Sequence, residues 1–185
     1  MKTRKGQRGM TLIELMIALT VLTVGLAALM ALITTAIATN NRNKLDTGGT
    51  FAAQAILETI AAKPGGTVVN MTDCAGNALQ LSISGSNGGT GATVASDGSI
   101  DFANQAQSSV PAGYRTNYVG CGPAGTQVTY DVRWNVRTIA SGTGYNESLI
   151  TVGAAQTAVA KNASQAGGAR FALPVTLRTI SATGN

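Results

Sequence analysis

The feature that most constrains this chain of 185 residues is an apolar run close to its start. From Leu15 to Thr39 no side chain is charged. A helix of that length, about 25 residues at roughly 1.5 Å per residue, is longer than the hydrocarbon core of a bilayer. We therefore expect the run to enter a membrane as a helix and the remaining chain to be built around it.

The residues before the apolar run form a short basic leader. A secretory signal has an apolar core of roughly 7–15 residues, with a small-residue cleavage site after that core. Here the apolar run is longer, and the small residue, Gly9, precedes it. Cleavage after Gly9 would leave the helix on the mature chain with Met10 as its N-terminus. The leader carries four basic residues: Lys2, Arg4, Lys5 and Arg8.

Glu14 is the only charged residue between Arg8 and Arg42. An acidic residue at the centre of a membrane helix costs about 2.5–3.5 kcal/mol, and less near the interface, so it usually has a partner. In a chain that begins at Met10, the α-amino group lies about one helical turn from Glu14. The amino group of a neighbouring copy is an equally good partner. Glu14 thus favours a helix that packs beside the same helix of another copy of the chain.

The succession of a basic leader, Gly9, Met10, Glu14 and an apolar helix resembles the N-terminus of type IV pilins and pseudopilins. The resemblance implies that a prepilin peptidase cuts between Gly9 and Met10 and methylates the amine of Met10. It also implies that Glu14 offsets the N-terminal charge of an adjoining subunit as the helix leaves the inner membrane for a filament. The alternative interpretation is an uncleaved membrane anchor in which Gly9 and Glu14 are incidental.

Charge and composition limit the other classes of function. The leader holds four of the 13 Lys and Arg and none of the eight Asp and Glu, so its removal lowers the formal charge from +5 to +1. A basic leader is expected on the cytoplasmic side, with the rest of the chain in the periplasm. Composition gives no support for specific nucleic-acid binding. Without histidine or a recognisable nucleophile motif, we predict no enzyme, no catalytic residue and no cofactor.

The two cysteines, Cys74 and Cys121, follow the apolar helix. Disulfides persist in the periplasm, so we predict a Cys74–Cys121 bridge. Closing a loop of about 47 residues would stabilise the fold by roughly 4 kcal/mol in the chain-entropy model. A metal site is the alternative, but the chain has no histidine and no second cysteine pair to complete one.

The predicted fold is α+β and pilin-like, with a long N-terminal helix packed on a small antiparallel sheet. The glycine pair Gly48-Gly49 predicts a flexible joint within the helix, and Pro64 predicts its end. The first half of the helix would form the membrane or filament core, and its amphipathic second half would cover the sheet. The expected segments are a leader at 1–9, the helix at 10–63, divided into 10–39 and 40–63, and a periplasmic β domain at 64–185.

The clearest strand pattern lies between residues 127 and 139, where apolar and polar side chains alternate. The pattern predicts one core face and one wet face. The core face would carry Val128, Tyr130, Val132, Trp134 and Val136, and the wet face Thr129, Asp131, Arg133, Asn135 and Arg137.

Neighbouring segments predict an antiparallel meander of three or four strands. A turn at 141–144 would lead into a strand at 148–152, and a loop at 154–169 into a last strand at 170–179, which Pro174 places at an edge or bulge. The other expectations are a short strand at 79–83, a surface loop at Gly85–Gly91, a turn at 110–113, and solvated rather than calcium-binding carboxylates at Asp97 and Asp101.

Several stretches narrow the resemblance to minor pilins of the type IV pilus modification (PilV-type) class and to I-type pseudopilins of type II secretion. Ala31 stands where major pilins often have a proline, and Glu14 argues against the tip pseudopilin that lacks this residue. A membrane-anchored adhesin that uses Gly85–Gly91 is a further alternative. The resembling stretches are Ala18–Leu26, Leu57–Pro64 and Tyr130–Val136.

Replacing Gly9 with valine tests the predicted cleavage site. The Gly9→Val variant should keep its leader, because the peptidase would meet a bulky β-branched side chain at the scissile bond. The size of the accumulated protein and the mass of its N-terminal peptide measure this. Mature protein of wild-type size would place the cleavage elsewhere.

Overall fold

The computed structural model describes residues 10–63, 66–122, 127–140, 145–157 and 173–184. The chain divides into two compact units, Met1–Asn41 and Arg42–Asn185. In chain order the elements are α1 (Leu12–Ala61), β1 (Val68–Thr72), β2 (Ala78–Ser82), β3 (Thr90–Gly91), a 3₁₀ turn (Gln107–Ser109), β4 (Arg115–Val119), β5 (Thr129–Ala140), β6 (Tyr145–Gln156) and β7 (Val175–Gly184).

Strand β5 organises the larger of two antiparallel sheets. One edge of β5 pairs with β6, which pairs in turn with β7. The other edge pairs with β3 near Asn135 and with β4 between Thr129 and Arg133. Strands β1 and β2 form a separate hairpin. The predicted α+β class, with a long helix packed on antiparallel strands, is confirmed.

The meander β5–β6–β7 confirms the predicted pairing of the last three strands. Strand β6 continues to Gln156, so the loop predicted from Ala154 is wrong there: Ala154 pairs with both Val132 and Val175. Strand β7 begins directly after Pro174, which has no N–H to donate to a neighbouring strand. It is the last strand at its side of the sheet, next to β6. Residues 141–144 and 158–172, which include Phe171, lie outside the described residues.

One face of the large sheet packs against the second half of α1. The helix residues Ala53 and Ile56 are fully buried, and Trp134, in the middle of β5, is buried in the same cluster. The Trp134 indole N–H donates to the carbonyl of Ser82 at 2.8 Å, which joins β2 to the core. This face contains the side chains that the alternating pattern assigned to the core.

The predicted joint at Gly48-Gly49 is wrong, because α1 continues through both glycines without a break. Both residues lie against Tyr130. A Cβ at Gly48 would overlap the Tyr130 hydroxyl, and one at Gly49 would lie 3.6 Å from its ring. The Tyr130 hydroxyl donates to the carbonyl of Leu45 at 3.1 Å. The glycines therefore permit close contact between helix and sheet, a role that helix propensity does not reveal.

The ionisation state of Tyr130 suits this contact. Burial raises the pKa of the Tyr130 phenol, and the nearby Asp46 carboxylate raises it further. The phenol consequently stays protonated at neutral pH and remains able to donate to the helix.

The opposite face of the sheet was predicted to be wet. This prediction is wrong where the face carries Asp131 and Arg133. Both residues are 2% exposed. Residues 92–110, here called the cover loop, bury both side chains. The carbonyl of Gln105 accepts a hydrogen bond from the Arg133 guanidinium, and the side-chain amide of Gln107 donates to the Asp131 carboxylate at 2.8 Å. The centre of the Phe102 ring lies 4.6 Å from the guanidinium carbon. The Arg133 guanidinium also pairs with Asp131 at 2.6 Å. Their mutual pairing explains how two charges are buried here.

The cover loop reaches across the sheet to β6 and β7. Ile100 lies over Gly153, where an added Cβ would be 2.7 Å from that of Ile100. The Ile100 N–H donates to the Thr176 hydroxyl at 3.4 Å. The middle region, whose sequence pattern was weak, therefore forms the second cover of the sheet.

Replacing Gly48 with alanine should destabilise the domain, although alanine favours a helix by about 1 kcal/mol. The new Cβ would overlap the Tyr130 hydroxyl, and overpacking of this kind typically costs about 1–3 kcal/mol. Urea unfolding of the full chain in detergent measures the change. Adding Tyr130→Phe should restore part of the loss, since it removes the overlapping oxygen. Gly25→Ala is the control, because a Cβ there meets no described residue within 4 Å beyond the helix's own backbone. Equal losses at Gly48 and Gly25 would contradict this role.

Candidate functional site

The start of α1 contains the residues singled out by the sequence pattern. The Thr11 side chain caps the helix, since its hydroxyl oxygen accepts from the Glu14 N–H at 3.4 Å. The Thr11 carbonyl accepts from the N–H groups of Glu14 and Leu15. Thr-x-x-Glu is the capping-box pattern, a signal that the sequence analysis missed. Glu14 also stands in the first turn, where the helix dipole favours a negative charge.

The Glu14 carboxylate points to no partner among the residues that the structure describes. Both Glu14 and Met10 are exposed, and the side chain of Met10 is 68% exposed. Gly9 lies outside the described residues, so cleavage between Gly9 and Met10 stays a prediction. The carboxylate is thus available to a group from another molecule.

The first unit presents apolar side chains to its surroundings over the whole helix surface. From Leu12 to Ile37 the exposed fractions of the large apolar side chains range from 50% at Leu26 to 77% at Leu12. In the described part of the chain, α1 is the one helix long and apolar enough to cross a membrane. An uncovered surface of this size requires lipid or other helices.

The threonines of this segment have their hydroxyl groups satisfied within the helix. Each hydroxyl donates to a backbone carbonyl three or four residues earlier, at 2.8 to 2.9 Å in the shortest contact of each. Polar groups that bond locally enter an apolar environment with a smaller penalty. The segment is therefore compatible with lipid or a dry helix bundle despite its hydroxyl groups. These residues are Thr20, Thr23, Thr34, Thr35 and Thr39.

Gly25 and the neighbouring alanines were open to two interpretations, close helix packing or simple apolar filling. Apart from the helix's own backbone, no described residue lies within 4 Å of a Cβ built at Gly25. No contact inside the described molecule therefore requires a glycine there. Both interpretations remain open for Gly25, Ala18, Ala27, Ala28 and Ala31.

The second set of predicted residues forms a junction in the globular unit. Cys74 and Cys121 are joined by a disulfide with their Cα atoms 5.0 Å apart, as predicted. Cys74 follows β1 and is partly buried, whereas Cys121 follows β4 and is exposed. The bridge thus ties the turn between β1 and β2 to the end of β4.

Asp73, which the sequence analysis did not single out, lies at the centre of this junction. Its side chain is 6% exposed, and both carboxylate oxygens accept hydrogen bonds. One oxygen accepts from the N–H groups of Ala75 and Asn77, at 2.9 and 2.8 Å. The other accepts from the Asn77 side-chain amide at 2.9 Å and from the Val119 N–H at 3.2 Å. The available signal was a turn sequence, Asp followed by Gly76 and Asn77, in which Gly76 has a φ of +85°.

These bonds decide the ionisation of Asp73. Burial alone would raise its pKa, but the hydrogen bonds from Asn77, Val119 and Ala75 together outweigh burial and lower the pKa below its ordinary value. The carboxylate is therefore ionised at neutral pH and holds four donors.

Asp97 and Asp101 each stabilise their own turn. Asp97 accepts from the N–H and hydroxyl of Ser99, both at 2.8 Å, and Asp101 accepts from the N–H groups of Ala103 and Asn104. Over the described residues, no cluster of three or more metal-ligating side chains occurs. Each carboxylate is thus bound to backbone or side-chain donors of its own turn.

Comparison with known proteins adds one match. The family model described as the prokaryotic N-terminal methylation motif matches residues 4–30. No curated protein and no solved structure matches the chain. The match covers most of the leader and the first part of the exposed helix, and it includes Gly9, Met10, Thr11 and Glu14.

The ionisation of Asp73 predicts an acid-sensitive contribution to stability. Because folding lowers the pKa, the contribution is complete above the unfolded pKa of about 3.9 and disappears as pH falls through the lower folded pKa. Asp73→Asn should reduce the free energy of unfolding at pH 7 by about 1–3 kcal/mol. The free energy of unfolding of this variant should also decrease less steeply than that of the wild type as the pH falls. Urea midpoints between pH 7 and pH 2 test this. Glu58→Gln, at an exposed helix position, should follow the wild type; a parallel acid decline in Asp73→Asn would refute the assignment.

Proposed function

We propose that this chain, a prepilin-type protein with the N-terminal motif of type IV pilins and pseudopilins, is a minor type IV pilin that primes or modifies pilus assembly. The observation that carries the proposal is the methylation motif at residues 4–30, on a helix whose apolar surface is exposed. The role is structural: the chain would act as a filament subunit and not as an enzyme.

The prepilin-type motif implies processing by a prepilin peptidase and assembly with other pilins. In the proposed pathway, the peptidase cuts between Gly9 and Met10 and methylates the new amine. The apolar helix anchors the subunit in the inner membrane, with residues 64–185 in the periplasm. The helix then exchanges lipid for the helices of other subunits, which is compatible with its internally bonded threonines.

Glu14 would direct this exchange. Its carboxylate has no partner among the described residues, and the N-terminal amine of a neighbouring subunit supplies the missing charge. Opposite charges attract strongly in a medium of low dielectric constant, and an unpaired carboxylate there is penalised. A subunit seated at the wrong height would leave both charges unpaired, so the pair would favour one axial position.

Three sequence features bear on a minor rather than a bulk role. Ala31 stands where major pilins often have a proline, and this supports a minor subunit. In the sequence, Gly48-Gly49 resembles an unusual interruption of the second half of the helix, which would also favour a minor subunit or a pseudopilin. The helix is uninterrupted there, so the glycine pair gives no such support. The tryptophan strand Tyr130–Val136, which resembles PilV-type minor pilins, lies at the centre of the sheet.

A minor pseudopilin of type II secretion is the second candidate, because it would carry the same methylation motif. A deletion strain separates the two: loss of surface pili with normal secretion favours the pilin, and the reverse favours the pseudopilin. A membrane-anchored adhesin is favoured less, since Gly85–Gly91 is fixed to β5 through Ser86 and through Asn87, whose carbonyl accepts from Arg137 at 3.1 Å.

The first test is mass spectrometry of the N-terminal peptide from protein purified out of its native membrane. A peptide that begins with N-methylated Met10 is expected. A chain that begins at Met1, or beyond Ala31, would remove the pilin pathway and make Glu14 an incidental residue in the first turn of α1.

Replacing Glu14 with alanine should lower incorporation into filaments by about tenfold or more, which corresponds to about 1.4 kcal/mol of lost pairing. Processing should continue, and the cap should persist, because Thr11 binds the backbone N–H of residue 14. Immunoblots of sheared filaments and membranes measure the distribution. Glu58→Ala, which removes an exposed carboxylate from the second half of α1, is the matched control. Unchanged incorporation of Glu14→Ala would contradict the pairing role.

A further inference from the structure

The disulfide and Asp73 connect the same two parts of the chain. The bridge joins Cys74 to Cys121, and the Asp73 carboxylate binds the N–H of Val119, two residues before Cys121. The N–H of Cys74 donates to the carbonyl of Val119 at 3.4 Å. Both backbone groups of Val119 are thus held by the turn that contains Cys74, through contacts that need no bond between the sulfur atoms.

The turn that presents Cys74 is fixed by Asp73 itself. The carboxylate binds the N–H groups of Ala75 and Asn77, and the Asp73 N–H donates to the Asn77 carbonyl at 3.1 Å. Cys74 lies inside this ring of bonds, none of which involves its sulfur.

Cys121 is held from the other side. Val119 pairs with Thr129 at the end of β4, and the Gly120 N–H donates to the Val128 carbonyl at 2.9 Å. The residue directly before Cys121 is therefore attached to the chain that enters β5. Contacts to β5 and to Asp73 together place the two cysteines with their Cα atoms 5.0 Å apart, within the range that a disulfide requires.

We propose that Asp73 is a positioning residue for oxidation of this protein: it assembles the junction in the reduced chain and holds the Cys74 and Cys121 thiols within reach of each other. The disulfide then seals a junction that already exists. Without Asp73, closing the loop between cysteines 47 positions apart would depend on the remaining contacts of β4 and of the cover loop.

The oxidation itself proceeds by thiol–disulfide exchange with a small or protein disulfide as the oxidant. Cys121 is exposed, so its thiolate attacks the oxidant and releases one thiolate. The Cys74 thiolate then attacks the Cys121 sulfur of the mixed disulfide and releases the second. The two cysteines lose two protons and two electrons, and the oxidant disulfide becomes two thiols. Asp73 takes no part in the electron transfer and acts only on the distance between the sulfur atoms.

The effective concentration of the two thiols tests this proposal. The full processed chain in detergent is equilibrated with buffers of reduced and oxidised glutathione at pH 7, and the oxidised fraction gives that concentration. Asp73→Asn should lower it at least tenfold, because an amide cannot accept at both oxygen positions. Asp97→Asn, a matched change at a turn aspartate outside the junction, should leave it within twofold of the wild type.

A general loss of stability is distinguished by circular dichroism of the reduced proteins. If reduced Asp73→Asn stays folded, a tenfold loss supports positioning, and a value within twofold of the wild type overturns it. If that variant unfolds when reduced, Asn77→Ala decides, since it removes one donor to Asp73 and keeps the backbone bonds. A loss of threefold or more for Asn77→Ala then supports the proposal, and a smaller change refutes it.

Discussion

The packing of the second half of α1 against β5 is the contact on which the globular unit depends. Ile56 and Trp134 are fully buried in one cluster, and Tyr130 enters the space left by Gly48 and Gly49. Strand β5 holds the rest of the sheet on both edges. Because the contact requires glycine at a helix position, local helix propensity is sacrificed for a tertiary contact, and the Tyr130 hydroxyl compensates by binding a helix carbonyl.

The opposite face of the sheet follows a different principle. Asp131 and Arg133 are buried as a pair whose remaining polar atoms bind Gln105 and Gln107 of the cover loop. Burial of charges contributes little net stability, but loss of one partner leaves the other unpaired at high cost. Such a pair specifies where the loop must lie. The cover loop belongs to the segment that the Cys74–Cys121 bridge closes, so the junction at Asp73 and the sheet face constrain the same stretch of chain.

The apolar side chains from Leu12 to Ile37 show no comparable burial against the described residues. These side chains are exposed, and the hydroxyl groups of the threonines from Thr20 to Thr39 bond within the helix. Thr11 caps the start of the helix, and the Glu14 carboxylate has no partner among the described residues. Each property suits a helix that is surrounded by lipid or by other helices. In the globular unit, by contrast, local turns such as that of Asp73 satisfy buried polar groups.

The sequence alone determined the long helix, the cysteine pairing, the three-stranded meander and the prepilin-type N-terminus, because each rests on a local pattern: an uncharged run, strict alternation, or a motif of fixed spacing. The tertiary structure decided the rest. From the sequence, Gly48 predicts a break in the helix, but in the structure it makes room for Tyr130. The sequence likewise predicts that Arg133 is solvated, but a segment about 28 positions earlier covers it. Asp73 has an ordinary turn sequence, and its link to Val119 arises only when β4 pairs with β5. Contacts between distant segments produce no regular pattern in the sequence, because they depend on complementary shape and paired charge and not on spacing along the chain.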